Sequence, residues 1–193
     1  SSLPPADNFF SATTTNNQTI FIGSTNGIKI YVHRKAKNDS TFSMRINNVL
    51  ADKKGYVWIG TWTNGLYRCK YDEANERWSE IIHLPKFPDE HIRSLFEDKN
   101  GSILAGTRYN GVVKILEKDA HHFDYSLWNQ QTGLSSNWVR DIAEDEKGNI
   151  WLVTMSGVDK LLVGNTFKVF NYSRVVHFIT NANLIAHIKG DTL

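Results

Sequence analysis

The side chains best equipped for chemistry in this sequence are aromatic and cationic ones held at turn-like positions. Trp62 and Thr63 stand between Thr61 and Asn64-Gly65, Arg108 and Tyr109 between Thr107 and Asn110-Gly111, and Met155 between Thr154 and Ser156-Gly157. His91 and Trp138 each come just before an apolar run, at 92–97 and 139–144. Aromatic faces stack on apolar patches and planar polar groups hydrogen-bond polar ones, so this set suits the recognition of a ligand. The same aromatics would also serve as packing against neighbouring sheets. No nucleophile is paired with a base among them, and the chain holds no Gly-x-Ser-x-Gly elbow, phosphate loop or His-Glu-x-x-His pair. The expected chemistry is binding, with no catalytic residue.

Other constellations read as structure. Asp52, Asp98 and Asp145 each open an Asp-x-x-Gly turn, where the carboxylate serves its own backbone. Calcium would need about six or more oxygens. His121-His122 lies in a polar stretch with no cysteine or carboxylate cluster at ligand spacing, so neither a metal nor another cofactor is expected. Trp58 and Trp151 recur at one place in an apolar run, as core aromatics do. The lone cysteine, Cys69, sits in the pattern Leu66-Tyr67-Arg68-Cys69 and reads as a buried, inert thiol.

Composition agrees with a packed binding domain. Apolar residues make up 40% of the 193 and charged ones 22%, enough apolar content for a substantial core. A net charge of +2 provides no electrostatic footprint for nucleic acid. No apolar run approaches the roughly 20 residues that span a bilayer, and Ser1-Ser2-Leu3-Pro4-Pro5 lacks the basic and apolar regions of a signal peptide.

The elements that hold these residues come from an internal repeat. Thr19-Ile20-Phe21-Ile22-Gly23-Ser24, Tyr56-Val57-Trp58-Ile59-Gly60-Thr61, Ser102-Ile103-Leu104-Ala105-Gly106-Thr107 and Asn149-Ile150-Trp151-Leu152-Val153-Thr154 align as apolar runs ending in Ser or Thr. After each comes a turn with Gly27, Gly65, Gly111 or Gly157, then a second apolar run. Upstream, the turn glycines Gly55, Gly101 and Gly148 are 46 and 47 residues apart, and further strands, Ile46 to Ala51, Ile92 to Glu97 and Val139 to Glu144, precede those turns. More alternating segments, such as Trp78 to Ile82 and Thr166 to Phe170, close each period.

Four antiparallel strands, A to D, in a period of roughly 40–50 residues are what β-propeller blades show. Inner strands covered on both sides read as continuous apolar runs, and a half-exposed outer strand alternates. The glycine ending strand B (Gly23, Gly60, Gly106) would admit a close neighbour; Val153 takes that place in the fourth copy. The fold class expected is all-β, a partial ring with blades at about 8–44, 45–90, 91–137 and 138–180. The first blade is the shortest, with Phe9 to Ala12 as its strand A and its strand D in doubt. Gly190-Asp191-Thr192-Leu193 matches Gly101-Ser102-Ile103-Leu104, so residues 181–193 read as the start of a fifth blade, to be completed by further chain or by another chain.

These residues resemble the two-component regulator propeller repeat. Val139-Arg140-Asp141-Ile142-Ala143-Glu144-Asp145-Glu146-Lys147-Gly148-Asn149-Ile150-Trp151 carries it, as do Gly55 to Thr61, Asn64 to Arg68 and the linker Thr132-Gly133-Leu134-Ser135-Ser136-Asn137. Departures are Ser11-Ala12-Thr13 for the acidic turn, Leu104 for Trp, and Val153 with Met155. The resemblance implies the periplasmic sensor part of a membrane-spanning hybrid sensor histidine kinase, responding to an oligosaccharide. Other blades, a sister chain or a homodimer would be its partners. Two alternatives stay open: a propeller enzyme segment, quinoprotein-like or a polysaccharide lyase or hydrolase, and a scaffold for protein assembly.

Overall fold

A computed structural model of the chain describes residues 7–15, 19–162 and 169–171. Four sheets follow the sequence, each of four antiparallel strands in chain order. They are β1 (Phe9–Thr14), β2 (Ile20–Ser24), β3 (Gly27–Val32) and β4 (Lys35–Lys37); then β5 (Ile46–Ala51), β6 (Val57–Thr61), β7 (Leu66–Asp72) and β8 (Arg77–His83). The third holds β9 (Ile92–Glu97), β10 (Ile103–Thr107), β11 (Val112–Glu117) and β12 (Phe123–Trp128). The fourth holds β13 (Val139–Glu144), β14 (Ile150–Thr154), β15 (Val158–Leu161) and β16 (Val169–Asn171). This is the blade architecture that the repeat predicts. The shortened first copy keeps its fourth strand as the three-residue β4. The start of a fifth blade lies outside the described residues.

Burial follows the pattern of apolar runs. Every residue of β6, β10 and β14 is buried, whereas β8 alternates between exposed and half-buried along its whole length. The Trp58 and Trp151 rings are buried, as the recurring core aromatic requires. Cys69 is fully buried, and burial pushes its thiol far above the ordinary range.

The turn before each strand B is built by its aspartate. Tyr56 N, Ser102 N and Asn149 N donate to Oδ1 of Asp52, Asp98 and Asp145 at 2.8, 2.7 and 2.8 Å. Gly55, Gly101 and Gly148 N close the turns onto the aspartate carbonyls. The carboxylates are therefore engaged by the chain itself.

The described residues form two compact units, the first from those up to 85 together with 90–92 and the second from 86–89 together with those from 93 onward. In the first, Phe21 of β2 lies edge-on to Tyr71 (ring centroids 5.3 Å apart) and close to Trp78 (5.4 Å), within a core that includes Ile46, Val49 and Ile59. Hydroxyls of β1 grip the backbone of β5: Val49 N donates to Ser11 Oγ at 3.2 Å and Ala51 N to Thr13 Oγ1 at 3.0 Å. In the second unit, Leu104, Val112, Val139 and Leu152 share a core with Phe96 and Trp128 packed against it.

The glycine ending strand B does admit a close neighbour. A Cβ on Gly23 would sit 2.8 Å from Ile46 Cγ2, and one on Gly106 would sit 3.0 Å from Val139 Cγ1. Both neighbours open strand A of the following sheet, so side-chain-free backbone is needed where sheet meets sheet, and at Gly106 Ser94 Oγ of its own sheet would stand nearer still, at 2.3 Å.

Candidate ligand-binding site

The loops from strand B to strand C share one construction. Oγ of Ser24, Thr61, Thr107 and Thr154 donates to the carbonyl of Gly27, Gly65, Gly111 and Gly157 at 2.9, 2.8, 3.0 and 3.0 Å. The same oxygens accept from the backbone N–H of Asn26, Asn64, Asn110 and Ser156. Each hydroxyl thus clamps both ends of its loop, and the residues between are released for display. At Gly111 the clamp also needs glycine: φ is +80°, and a Cβ would meet the carbonyl oxygen of Trp128 at 2.1 Å.

In the first unit the displayed residues form an aromatic stack around a cation. Trp62 meets His91 edge to face with ring centroids 6.0 Å apart. The Arg45 guanidinium carbon lies 4.4 Å from the Trp62 ring and 4.3 Å from the Phe10 ring. Its Nε donates to Asn47 Oδ1 at 3.0 Å, and the Arg45 carbonyl accepts from Trp62 N at 3.0 Å. Thr63 is exposed at the loop tip, with its hydroxyl on Asn64 Oδ1.

In the second unit the arrangement is reversed: one ring is surrounded by cations. The guanidinium carbons of Arg108, Arg140 and Arg93 lie 4.5, 5.7 and 6.0 Å from the Trp138 ring. Arg108 is also 5.4 Å from the ring of Tyr109, which is 54% exposed. The Tyr109 loop is tied down by Asp89, whose Oδ2 accepts from Tyr109 N at 2.9 Å and from the Asn110 amide at 3.2 Å. Met155 is exposed and its N–H donates to the Trp138 carbonyl at 3.0 Å.

The seven residues singled out from sequence therefore fall into two groups, Trp62, Thr63 and His91 in one unit and Arg108, Tyr109, Trp138 and Met155 in the other. Four more were missed: Phe10, Arg45, Arg93 and Arg140. The three arginines flank the buried anchors that begin strand A, Ile46, Ile92 and Val139. Period-two alternation turns such flanking residues away from the core side of the anchor. Phe10 and Arg140 also sit where the pairing register shifts, between Phe9 and Ser11 and between Val139 and Asp141, and such a bulge re-aims one side chain. The signal was present in Arg45-Ile46-Asn47, His91-Ile92-Arg93 and Trp138-Val139-Arg140 as a polar or aromatic frame around one apolar residue.

Comparison with known proteins points in one direction. The two-component regulator propeller family matches at residues 41–63 and 133–156. Histidine kinase P4 of Formosa agariphila is 28% identical over 92 residues, 46% of this chain and 7% of that protein. Among solved structures, the extracellular domain of the hybrid two-component system BT4673 of B. thetaiotaomicron superposes with a TM-score of 0.72 at 20% identity, covering 92% of this chain and 27% of that one. That of BT3049 from the same organism gives 0.69 at 21%, covering 86% and 23%. A virginiamycin B lyase from Staphylococcus aureus gives 0.62 at 13%, covering 86% and 56%. At such identities the structural likeness is one of fold, and the chain spans less than a third of the length of the signalling relatives. Among the described residues no helix is long and apolar enough to cross a membrane. The matched stretches carry the Asp-turns and the strands β6 and β14 of two four-stranded sheets, so over those residues the chain is similar to the two-component regulator propeller family.

Proposed function

We propose that this chain is a non-catalytic segment of the periplasmic sensor propeller of a two-component signalling protein, and that its loops contact an oligosaccharide. The observation that carries this reading is the Trp138 group, where Arg108 and the exposed Tyr109, on a loop that Thr107 and Asp89 clamp, meet the guanidinium groups of Arg93 and Arg140 around a half-buried indole. Aromatic faces beside planar donors suit pyranose rings and their hydroxyls. Further blades or a sister chain, including a second copy in a homodimer, would complete the binding surface. A histidine kinase elsewhere in the protein would receive the signal. Kinship with a histidine kinase and likeness in fold to extracellular domains of two-component systems both support the assignment.

The test is thermal melting of the chain against a panel of neutral and acidic oligosaccharides. A ligand at about a hundred times its Kd adds about 2.7 kcal/mol to the folded state, which is read as a rise of a few degrees. At least one member of the panel is expected to give that rise, and Tyr109→Ala is expected to diminish it. Absence of any shift together with turnover of a panel member would sink the sensor reading in favour of an enzyme.

A further inference from the structure

We propose that Asp159 is a positioning residue for Trp138 and Met155 that answers to pH: its carboxyl proton completes a hydrogen-bond relay holding the linker before Trp138 to the loop that bears Met155, and ionisation breaks the relay. The inference rests on the reading of Trp138 and Met155 as ligand residues, but its test uses no ligand, so the two fail separately. Asp159 is fully buried on β15, with Oδ2 3.0 Å from Ser135 Oγ. Ser135 Oγ lies 2.7 Å from Thr154 Oγ1, which lies 3.0 Å from the Gly157 carbonyl oxygen. The relay therefore runs from β15 through the linker to the loop at 154–157. Trp138 is held between the same two segments: its N–H donates to Ser136 Oγ at 3.1 Å, and its carbonyl accepts from Met155 N at 3.0 Å. The repeat itself demands no carboxylate here. At one place in the four copies, Ile22, Ile59, Ala105 and Leu152 pair with Lys29, Tyr67, Val113 and Asp159.

The acid form fits the proton count. Three contacts, carboxyl to Ser135, Ser135 to Thr154 and Thr154 to the Gly157 carbonyl, need one proton each. A carbonyl only accepts, and each hydroxyl supplies a single proton. An ionised Asp159 supplies none, so one contact goes unmade. Protonated on Oδ2, Asp159 donates to Ser135 Oγ, Ser135 donates to Thr154 and Thr154 donates to Gly157, which satisfies all three. Little else compensates a charge on this carboxyl: Ser135 N donates to Oδ2 at 2.8 Å, and Oδ1 has no hydrogen-bond partner among the described residues. The segments bonded to Asp159 or β15, namely β14, β16 and the linker 134–137, contain no ionisable residue. Lys160, next in β15, pairs with Asp145. On β11, whose Val112 shares a core with Leu161, Lys114 reaches toward Asp98 and Glu117 is exposed. No charge acts on Asp159, whose pKa burial raises and the Ser135 hydrogen bonds lower only in part.

Two-dimensional NMR of the nitrogen-15-labelled chain, titrated from acidic to neutral pH, tests the proposal. The Met155 amide and Trp138 indole signals are expected to move together, with one midpoint above the ordinary carboxylate value of about 3.9. Asp159→Asn replaces the carboxyl proton by an amide donor, so its signals are expected to stay in the acid form throughout. Above the midpoint the Met155 amide should exchange with solvent about tenfold faster in wild type than in Asp159→Asn, as one lost hydrogen bond implies. Ser135→Ala cuts the relay and keeps the acid: Asp159 should still titrate, as followed by its side-chain carbon, while Met155 and Trp138 no longer follow it. If Asp159→Asn melts low, Ser135→Ala carries the test. Equal Met155 exchange in wild type and a folded Asp159→Asn overturns the proposal. So does a movement of Met155 or Trp138 at the Asp159 midpoint that persists in Ser135→Ala. Either result leaves Trp138 standing as a ligand contact, which the oligosaccharide panel judges.

Discussion

The indole N–H of Trp151 donates to Oδ2 of Asp145 at 3.0 Å, which fastens strand β14 to the turn that leads into it. Lys160 of β15 brings its ammonium to 3.6 Å from the same oxygen and 4.7 Å from the Trp151 ring. The second sheet repeats the bond, Trp58 Nε1 to Asp52 Oδ2 at 2.7 Å. In the third, Leu104 has no donor to offer, and Lys114 stands 3.9 Å from Asp98 instead. In the third and fourth sheets the aspartate that opens the turn therefore ties three strands together.

Removing Asp145 has a cost with a defined pH dependence. Asp145→Ala leaves the Trp151 and Asn149 donors unsatisfied, and a loss of about 2–3 kcal/mol is expected in urea unfolding at neutral pH. Burial by itself would raise the carboxyl pKa. It is outweighed by hydrogen bonds from the Asn149 side chain, the Trp151 indole and the Asn149 backbone, with the Lys160 charge, so the pKa is lowered to about 2. A lowered folded pKa means stability that is present in full above the ordinary carboxylate value and disappears as pH falls toward about 2. The urea midpoints of wild type and Asp145→Asn should differ at pH 6 and converge near that acid limit.

Asp159, on β15 of the same sheet, should behave with the opposite sign. It is fully buried, and burial raises its pKa, partly offset by Ser135 N and Ser135 Oγ, which donate to Oδ2 at 2.8 and 3.0 Å. An acid raised in the folded state stabilises that state when protonated, so stability falls as pH climbs from the ordinary carboxylate value through the raised one. Asp159→Asn should flatten that slope in denaturation curves taken across the acidic range. Asp159→Ala should lower stability by about 1–3 kcal/mol at acidic pH and by less as pH climbs, because the Ser135 N–H loses its acceptor while the cost of burying the charge is also removed.

Gly23 tests the close approach between sheets. An added Cβ would stand 2.8 Å from Ile46 Cγ2 and 3.0 Å from the Ile46 carbonyl oxygen, and backbone cannot swing aside as a side-chain tip can. Gly23→Ala should cost about 1–3 kcal/mol by overpacking, and Gly23→Val more. Gly55 is a control for backbone conformation alone: its φ is +83° and nothing lies within 4 Å of its would-be Cβ. Gly55→Ala should cost about 1 kcal/mol, from the left-handed backbone only, as read by thermal melting.

Strands, turns and blades were legible because each depends on local chemistry. Apolar runs such as Val57-Trp58-Ile59 declare strands covered on both sides, and Asp-x-x-Gly and Asn-Gly declare turns through their own hydrogen bonds and positive φ. Repetition reinforced the local readings, since the Ser/Thr-to-Gly loop returns in four sheets and the Asp-x-x-Gly turn in three. The loops that carry Trp62 and Arg108 were equally visible, because Thr at one end and Gly at the other bound them.

The composition of the site was only half visible. Loop residues could be named from their position between turn marks, and the sequence alone determined those residues, the strand order within each repeat and the engagement of the turn aspartates. It could not say that Arg93, Arg108 and Arg140, drawn from segments far apart in the chain, converge on Trp138. That meeting depends on a register shift between Val139 and Asp141 and on the approach of Gly106 to Val139 where two sheets pack. Register and sheet-to-sheet packing are long-range properties, set by which buried faces fit together, and the tertiary structure alone decided them.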